Sequence, residues 1–174
     1  MLCGFLTSWL FTSFRKYRCG EVRLRITEDD LTGNAITALL AEHFNDMHAI
    51  TPPGSAHVLD IASLRLPNFT FWSAWEDDCL LGCGALKALD ATTGEIKSMR
   101  TVEAHKRKVV ASAILLHIIE IAKLRGYDCL DLVTGSFPAF QPARAFYEKH
   151  GFVYRKPFAD YQDDPNSVFM MKRL

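Results

Sequence analysis

The stretch at residues 94–126 reads GEIKSMRTVEAHKRKVVASAILLHIIEIAKLRG. Residues 95–100 are predicted to form a strand, and residues 109–123 are apolar over the length of a helix. The loop between them carries three adjacent cations, Lys106, Arg107 and Lys108. A strand that enters a helix through such a loop brings together free backbone N–H groups, the positive end of the helix dipole and cationic side chains. The stretch therefore predicts an anion site, although a solvated basic turn explains these features equally well.

Composition narrows the class of protein. The 174 residues suit one domain with a substantial core. Lys and Arg together number 20, as do Asp and Glu, so net charge does not indicate a nucleic acid or an anionic membrane as partner. The five cysteines are odd in number and include no C-x-x-C pair, which argues against a disulfide framework and a zinc site. We therefore expect a cytoplasmic protein with reduced thiols, no metal and no nucleic-acid partner.

The amino-terminal segment, residues 1–14, is apolar but has no basic residues before it. It is shorter than the ~20 residues that a membrane-spanning helix requires, so we expect no stable membrane span. A weak membrane-surface anchor, and with it a peripheral membrane protein, stays open as an alternative. The favoured interpretation is a poorly ordered extension over residues 1–20, followed by one domain over residues 21–174.

The first half of the domain is predicted to contain one strand and two helices. Residues 22–26 alternate between apolar and polar, as a half-buried strand does. Residues 34–47 place an apolar stripe on one helix face. His43 lies on this stripe and is interpreted as a packed or hydrogen-bonded histidine, with a substrate-pocket role as the alternative. Ser55 is the predicted N-cap of a second helix.

The second half is predicted to complete a mixed sheet. Residues 69–75 and 80–88 read as a hairpin that leads into the strand at residues 95–100, so three antiparallel strands follow one another. Gly126 ends the long helix, and Leu130 begins a strand that a right-handed crossover places parallel to residues 95–100. The predicted class is α/β (α+β), with a mixed, mostly antiparallel central sheet flanked by helices.

Residues 94–126 resemble motif A of the GNAT superfamily of acyl-CoA N-acyltransferases. In that motif a strand is followed by a Q/R-x-x-G-x-G/A loop that cradles the pyrophosphate of coenzyme A. Residues 132–136 (LVTGS), residues 142–152 (PARAFYEKHGF) and the tail at residues 157–170 are similar to small bacterial N-acetyltransferases of the YsnE type. The resemblance covers residues 24–174 and implies a GNAT-like acyl-CoA N-acyltransferase fold.

The resemblance implies acetyl-CoA as co-substrate and a small-molecule amine or amino acid derivative as acceptor. Backbone groups on a strand that splays from its parallel neighbour would bind the pantetheine arm, and the loop with the helix start would bind the pyrophosphate. The implied cofactor-binding residues are Met99, Arg100, Thr101, Lys106, Arg107, Lys108, Val109, Val110, Ala111, Ser112 and Ala143.

The resemblance also implies catalytic roles. Tyr147 matches the tyrosine that protonates the departing thiolate, with a core tyrosine as the alternative. Glu95 is the best general base available in the sequence, directly or through water, with a solvated strand end as the alternative. The segment before the hairpin contains His48, Thr51 and His57. These three are candidates for contact with the acceptor, with surface residues as the alternative.

This chain departs from the family pattern at three positions. Lys106 stands where the family has Gln or Arg, Val109 where it has the first glycine, and Val133 where close relatives carry Glu. A β-branched residue at the glycine position would reduce the clearance for the phosphates. The alternative function is therefore an acyl-CoA-binding or structural GNAT-like protein with weak or no turnover. The oligomeric state, including a homodimer, stays open at this point.

Overall fold

The computed structural model describes residues 15–19, 22–52, 54–55, 57–106 and 109–174, and at residues 15–19, 22 and 23 it describes the backbone alone. Residues 1–14, on which the membrane-anchor interpretation rests, lie outside this described part. Two of the expected pyrophosphate contacts, Arg107 and Lys108, also lie outside it.

The strands of the described residues form one eight-stranded sheet with the order β1-β2-β3-β4-β5-β6-β8-β7. Their bounds are β1 Arg15–Cys19, β2 Val22–Glu28, β3 Phe69–Glu76, β4 Cys79–Ala88, β5 Thr93–Thr101, β6 Cys129–Gly135, β7 Val153–Arg155 and β8 Ser167–Arg173. Only β5 and β6 pair in parallel, and every other neighbouring pair is antiparallel. The predicted mixed, mostly antiparallel sheet is therefore confirmed.

Helices cover both faces of the sheet. The described residues contain α1 Asn34–Ile50, α2 Ile61–Leu64, α3 Val110–Leu124 and α4 Gln141–Lys149, with 3-10 turns at Glu103–His105 and Pro138–Phe140. None of the described helices has the length and apolar character that a bilayer crossing demands. The two helices predicted before the hairpin and the long helix predicted after residues 95–100 are all present.

The core is divided by the sheet into two apolar clusters. On one face α3 buries Ile114 and Ile118 completely against strand residues such as Leu86. On the other face α1 and α2 contribute Leu39 and Leu64 to a second cluster. Eight residues of α3 are buried, so its apolar arc is wider than one stripe.

The start of the domain differs from the prediction. The first predicted strand extends to Val22–Glu28, and β1 lies within the expected extension at residues 1–20, paired from Arg15 with Ile26 to Cys19 with Val22. Residues 15–19 of that extension form a strand of the sheet, and the expectation for the rest of the extension stays a prediction. An edge strand pairs through backbone N–H and C=O groups, so it requires no apolar alternation in the sequence.

The prediction that Ser55 is the N-cap of the second helix was also wrong. Asp60 caps α2, because its Oδ1 accepts a 2.7 Å hydrogen bond from the backbone N–H of Ser63. The predicted cap, Ser55, instead accepts a 3.2 Å hydrogen bond from the side chain of Asn166. Asp and Ser are about equally good N-caps, so residue preference alone does not distinguish Asp60 from Ser55. The N-cap is the residue directly before the first helical turn, and here that residue is Asp60.

Candidate functional site

A cleft of about 940 Å³ opens where β5 and β6 separate. The parallel pairing runs from Thr93 with Cys129 to Ile96 with Leu132 and then stops. From Lys97 onward β5 leaves β6, and both strands line the cleft together with α1, the start of α3 and α4. The splay that the family resemblance implied is therefore present. Between the separated strands the β5 backbone is available to a ligand.

A β-bulge directs the side chains of β5 at this point. Ser98 adopts a φ of 51°, and the register with β4 shifts so that Cys83 faces Arg100 while Ala85 faces Lys97. Met99 then packs over Gly84, where an added Cβ would lie 2.6 Å from its sulfur. A side chain at position 84 would therefore displace the Met99 side chain. Met99 thus packs against the core and also belongs to the cleft wall.

The start of α3 places backbone N–H groups at one end of the cleft, and no side-chain cap within the described residues engages them. The N-cap Val109 makes no side-chain cap, and the first intrahelical hydrogen bond joins Ala113 N to Val109 O at 2.9 Å. The N–H groups of the three preceding residues, Val110, Ala111 and Ser112, therefore lack intrahelical acceptors. Ala111 and Ser112 line the cleft, whereas the side chain of Val110 is buried in the core. A helix start of this kind attracts an anion.

The valine at the glycine position of the family motif fits without strain. Val109 has a φ of −70° and a ψ of −3°, which a β-branched residue adopts readily. Its side chain is 38% exposed and is not part of the cleft wall. The expected loss of clearance for the phosphates is therefore not supported by this geometry. Lys106 does line the cleft, where it forms an ion pair with Glu103.

Helix α4 brings Tyr147 and Ala143 to the opposite side of the cleft. The ring of Tyr147 is 8% exposed and packs edge-on against Phe152, with ring centroids 5.5 Å apart. Burial raises the pKa of its phenol, so the hydroxyl is protonated at neutral pH. Arg144 anchors the helix by donating a 2.7 Å hydrogen bond to the carbonyl of Gly135 at the end of β6.

Arg100 links β5 to α1. Its guanidinium donates to Glu42 at 2.5 Å and also to Asp46. His43, on the same helix, lines the cleft, and its Nδ1 is buried without a hydrogen-bond partner in the described structure. Burial, with the nearby Arg100 charge second, lowers the pKa of His43 to about 4. His43 is therefore neutral at physiological pH, and both Arg100 and Thr101 join it in the cleft wall.

The expected general base lies behind the cleft wall. Glu95 is fully buried, and its Oε1 accepts a 2.7 Å hydrogen bond from Tyr161 and lies 3.2 Å from Lys97 Nζ. Lys97 lines the cleft and Glu95 does not. The alternative of a solvated strand end is wrong, because the segment carrying Tyr161 covers this part of β5. Direct contact between Glu95 and an acceptor amine has no support in this geometry, and a water-mediated role stays a prediction.

The three residues expected to contact the acceptor lie at the end of α1 and in the segment after it, and they divide into two groups. Thr51 and His57 line the cleft, whereas His48 is exposed and its ring lies 4.3 Å from that of Phe44. Sequence reasoning did not identify Asn166 as a cleft residue or Ser167 as a partner of His57. The only signal for them was the turn sequence around residues 163–166, which predicts a turn but not its partners.

The apolar Val133 lines the cleft on β6, at the point where close relatives were expected to carry Glu. Its strand partner is Phe169 of β8. At this position the cleft wall therefore carries an apolar side chain in place of a charged one. The cleft therefore combines backbone donors at one end with a mixed apolar and polar lining at the other.

Comparison with known proteins places this geometry in context. Residues 34–152 match the acetyltransferase (GNAT) family. The uncharacterized N-acetyltransferase YsnE of Bacillus subtilis (strain 168) is 56% identical over 151 residues, covering 87% of this chain and 100% of that protein. The uncharacterized N-acetyltransferase YedL of Escherichia coli (strain K12) is 48% identical over 149 residues, covering 86% of this chain and 94% of that protein. A GNAT family acetyltransferase from Elizabethkingia anophelis with acetyl-CoA bound has a similar fold, with a TM-score of 0.64 and 17% identity. The match covers 87% of this chain and 98% of that one.

Proposed function

The chain belongs to the GNAT family of acetyltransferases, and from this premise we propose that it moves the acetyl group of acetyl-CoA to the amine of a small molecule or amino acid derivative. One observation carries the proposal. The separation of β5 from β6, the uncapped start of α3 and the phenol of Tyr147 meet in a single cleft. A donor backbone, an anion site and a proton donor are what transfer from a coenzyme A thioester requires.

The proposed binding mode uses backbone more than side chains. The strand segment at Met99, Arg100 and Thr101 holds the pantetheine arm, since it has no partner strand on the β6 side. The N–H groups of Val110, Ala111 and Ser112 receive the pyrophosphate. Lys106 adds positive charge, and Arg107 and Lys108 belong to the same loop. Ala143 leaves room for the cofactor because its side chain is a single methyl group.

The proposed reaction is direct attack on the thioester. The neutral amine forms the new C–N bond at the acetyl carbon, and its nitrogen, now cationic, releases one proton to solvent. Collapse of the tetrahedral intermediate then breaks the C–S bond and gives the neutral amide. Tyr147 then donates its proton to the departing thiolate and is reprotonated from solvent. Burial raises the pKa of this phenol, and the same apolar surroundings raise that of the coenzyme A thiol, so the transfer stays near balance.

The alternative of a binding protein without turnover rested on Val109 and Val133. The φ of Val109 is negative and its side chain lies outside the cleft wall, so this substitution gives no argument against binding. Val133 changes the lining on the acceptor side and leaves the carbonyl-binding backbone intact. The proposal places the reaction in the cytoplasm, where the free thiols of Cys79, Cys83 and Cys129 stay reduced.

The test combines cofactor binding with product detection. The melting temperature of the protein is measured with acetyl-CoA, with coenzyme A and with neither, and a pool of free amino acids and their amides is then offered with acetyl-CoA. Mass spectrometry identifies acetylated products. We expect acetyl-CoA to raise the melting temperature and at least one amine to be acetylated.

A matched pair of variants locates the binding site. Ala111→Glu places a negative charge at the start of α3, where it repels the pyrophosphate without weakening the helix. Leu116→Glu places the same charge on an exposed position of the same helix. We expect the acetyl-CoA shift to disappear in the first variant only. A wild-type protein that neither binds acetyl-CoA nor acetylates any amine of the pool would overturn the proposed function.

A further inference from the structure

A histidine in the cleft wall is held by a chain of side-chain hydrogen bonds outside the family motif. His57 is half-buried, lines the cleft and packs edge-on against Tyr161, with ring centroids 5.0 Å apart. Its Nε2 lies 3.1 Å from Oγ of Ser167, at the start of β8. Oγ of Ser167 in turn donates a 2.9 Å hydrogen bond to Oδ2 of Asp164.

The hydrogen bonds from His57 through Ser167 to Asp164 determine which ring nitrogen of His57 carries the proton. Asp164 also accepts a 2.9 Å hydrogen bond from the backbone N–H of Asn166, and this bond is the main reason that the pKa of Asp164 is lowered. An ionised carboxylate only accepts, so the single hydroxyl proton of Ser167 is directed to Asp164. Ser167 must then accept from His57, which places a proton on Nε2 and leaves the lone pair on Nδ1.

The lone pair on Nδ1 of His57 accepts no hydrogen bond within the described residues. The ring itself forms part of the cleft wall. Lys97, whose charge acts on His57 and which also lines the cleft, is the first β5 residue beyond the last pair with β6. The imidazole therefore belongs to the same cleft wall as the residue at which the strands separate, in the cleft where the thioester is proposed to bind.

The charges around His57 favour the neutral ring. Burial is the main cause that lowers its pKa, and the Lys97 cation acts in the same direction. The carboxylates of Asp164 and Glu95 oppose this. Tyr161, the remaining titratable group packed against the ring, is neutral because burial and Glu95 raise its pKa. A neutral imidazole at physiological pH is able to take up a proton.

We propose that His57 is the general base of this acetyltransferase, with Nδ1 accepting a proton from the ammonium group of the acceptor and Ser167 and Asp164 acting as positioning residues. The inference rests on the proposed function. The ammonium loses one proton to Nδ1, which yields a neutral amine and an imidazolium that is hydrogen-bonded through Ser167 to Asp164. The proton then leaves to solvent through the open cleft, and the amine attacks the thioester.

The relay is tested first without any substrate. Nitrogen-15 NMR of the imidazoles at neutral pH reports which nitrogen of each histidine is protonated. We expect the His57 resonances to show the Nε2–H tautomer in the wild type and a mixture of tautomers in Ser167→Ala. A His57 that carries its proton on Nδ1 would overturn the proposal, because no lone pair would then be available to the acceptor.

The catalytic role is tested with an amine from the amino acid pool that the wild type acetylates. We expect His57→Gln to lower kcat by roughly 10²- to 10⁴-fold with an unaltered KM for acetyl-CoA. The kcat/KM of the wild type should rise with pH and level off above the pKa of His57, and this inflection should disappear in the variant. Asp164→Asn should lower kcat by about tenfold or more and leave acetyl-CoA binding unchanged.

Two controls separate the outcomes. His48→Gln changes an exposed histidine outside the cleft and should leave kcat unchanged. Glu95→Gln tests the competing base. A wild-type enzyme that is active while His57→Gln keeps its full kcat would overturn the role of His57 alone, as would loss of the pH inflection in Glu95→Gln only. A wild type that acetylates no amine would overturn the proposed function and the base together.

Discussion

The hydroxyl of Tyr161 donates a 2.7 Å hydrogen bond to Oε1 of Glu95, a carboxylate with no exposed surface. The same hydroxyl accepts a 2.9 Å hydrogen bond from Nζ of Lys97, which is 7% exposed. One phenol thus joins two buried charges on β5 to the segment between β7 and β8. Burying either charge without such partners would be costly, so this contact stabilises both the strand and the segment that covers it.

Tyr161→Phe should therefore destabilise the protein. The variant keeps the ring but leaves Glu95 and Lys97 without a shared partner, and we expect the free energy of unfolding to fall by about 1–3 kcal/mol. Urea unfolding measures the loss. Tyr154→Phe is the control, because it removes an exposed hydroxyl that donates to Glu148, and its effect should be much smaller. Equal losses in the two variants would contradict a special role for the buried contact.

Tyr147→Phe separates packing from proton donation. The ring and its contacts stay, so we expect acetyl-CoA to bind normally while kcat falls by roughly 10²- to 10⁴-fold. Steady-state kinetics on an accepted amine gives the measurement, with the loss in kcat and not in KM. Tyr127→Phe, which alters a tyrosine packed against Gly94 outside the cleft wall, serves as the control. A phenylalanine variant with wild-type kcat would leave Tyr147 a packing residue.

Val109→Gly should leave coenzyme A affinity unchanged. From the sequence, a β-branched residue at this position was expected to reduce the clearance for the phosphates, and its removal would then tighten binding. In the structure the valine side chain is partly exposed and outside the cleft wall, so its removal clears no space there. We expect a loss of up to about 1 kcal/mol in stability from the added backbone freedom. Calorimetric titration decides the point, and tighter binding in the glycine variant would show that Val109 does approach the cofactor.

His43 should make stability depend on pH between its two pKa values. Folding lowers its pKa from 6.5 to about 4, so as pH falls through this range the unfolded chain binds a proton that the folded chain does not. The free energy of unfolding should therefore be greatest above pH 6.5 and decrease toward pH 4, by up to about 3 kcal/mol from this residue.

The measurement is urea unfolding of the wild type and His43→Leu across this pH range. The leucine variant should show a shallower decrease, because it removes the titrating group. His48→Leu changes an exposed histidine of the same helix and should keep the wild-type dependence. Identical pH dependence in all three proteins would show that His43 is protonated equally well in the folded state.

Removal of residues 1–20 should expose the edge of β2. Strand β1 pairs with β2 through five residue pairs, so its loss leaves backbone groups without partners. We expect a fall in the free energy of unfolding on the order of 1–3 kcal/mol and a greater tendency to aggregate. A truncation of residues 1–14 retains β1 and is the matched control. Equal stability of both truncated proteins would mean that β1 contributes nothing to the sheet.

The sequence determined those features that depend on neighbours along the chain. The apolar arc of α3 and the alternation in β2 were visible because a buried face leaves a period of residues along the helix or strand. Gly126, with a φ of 77°, and Pro142, at the start of α4, marked where helices end and begin. For the same reason the order of motifs was enough to predict the fold and the parallel pair of β5 and β6.

Only the tertiary structure decided the environment of the reactive groups. The sequence placed Glu95 on a strand, but Tyr161, which covers it, lies far along the chain. The partner of His57, Ser167, is 110 residues away. The sequence shows that position 109 carries a β-branched residue, and this suggested an obstruction. The φ of Val109 and the direction of its side chain are set by the tertiary structure, and they remove the obstruction. Burial, tautomer and pKa are set by contacts between distant segments, and no local pattern of residues encodes such contacts.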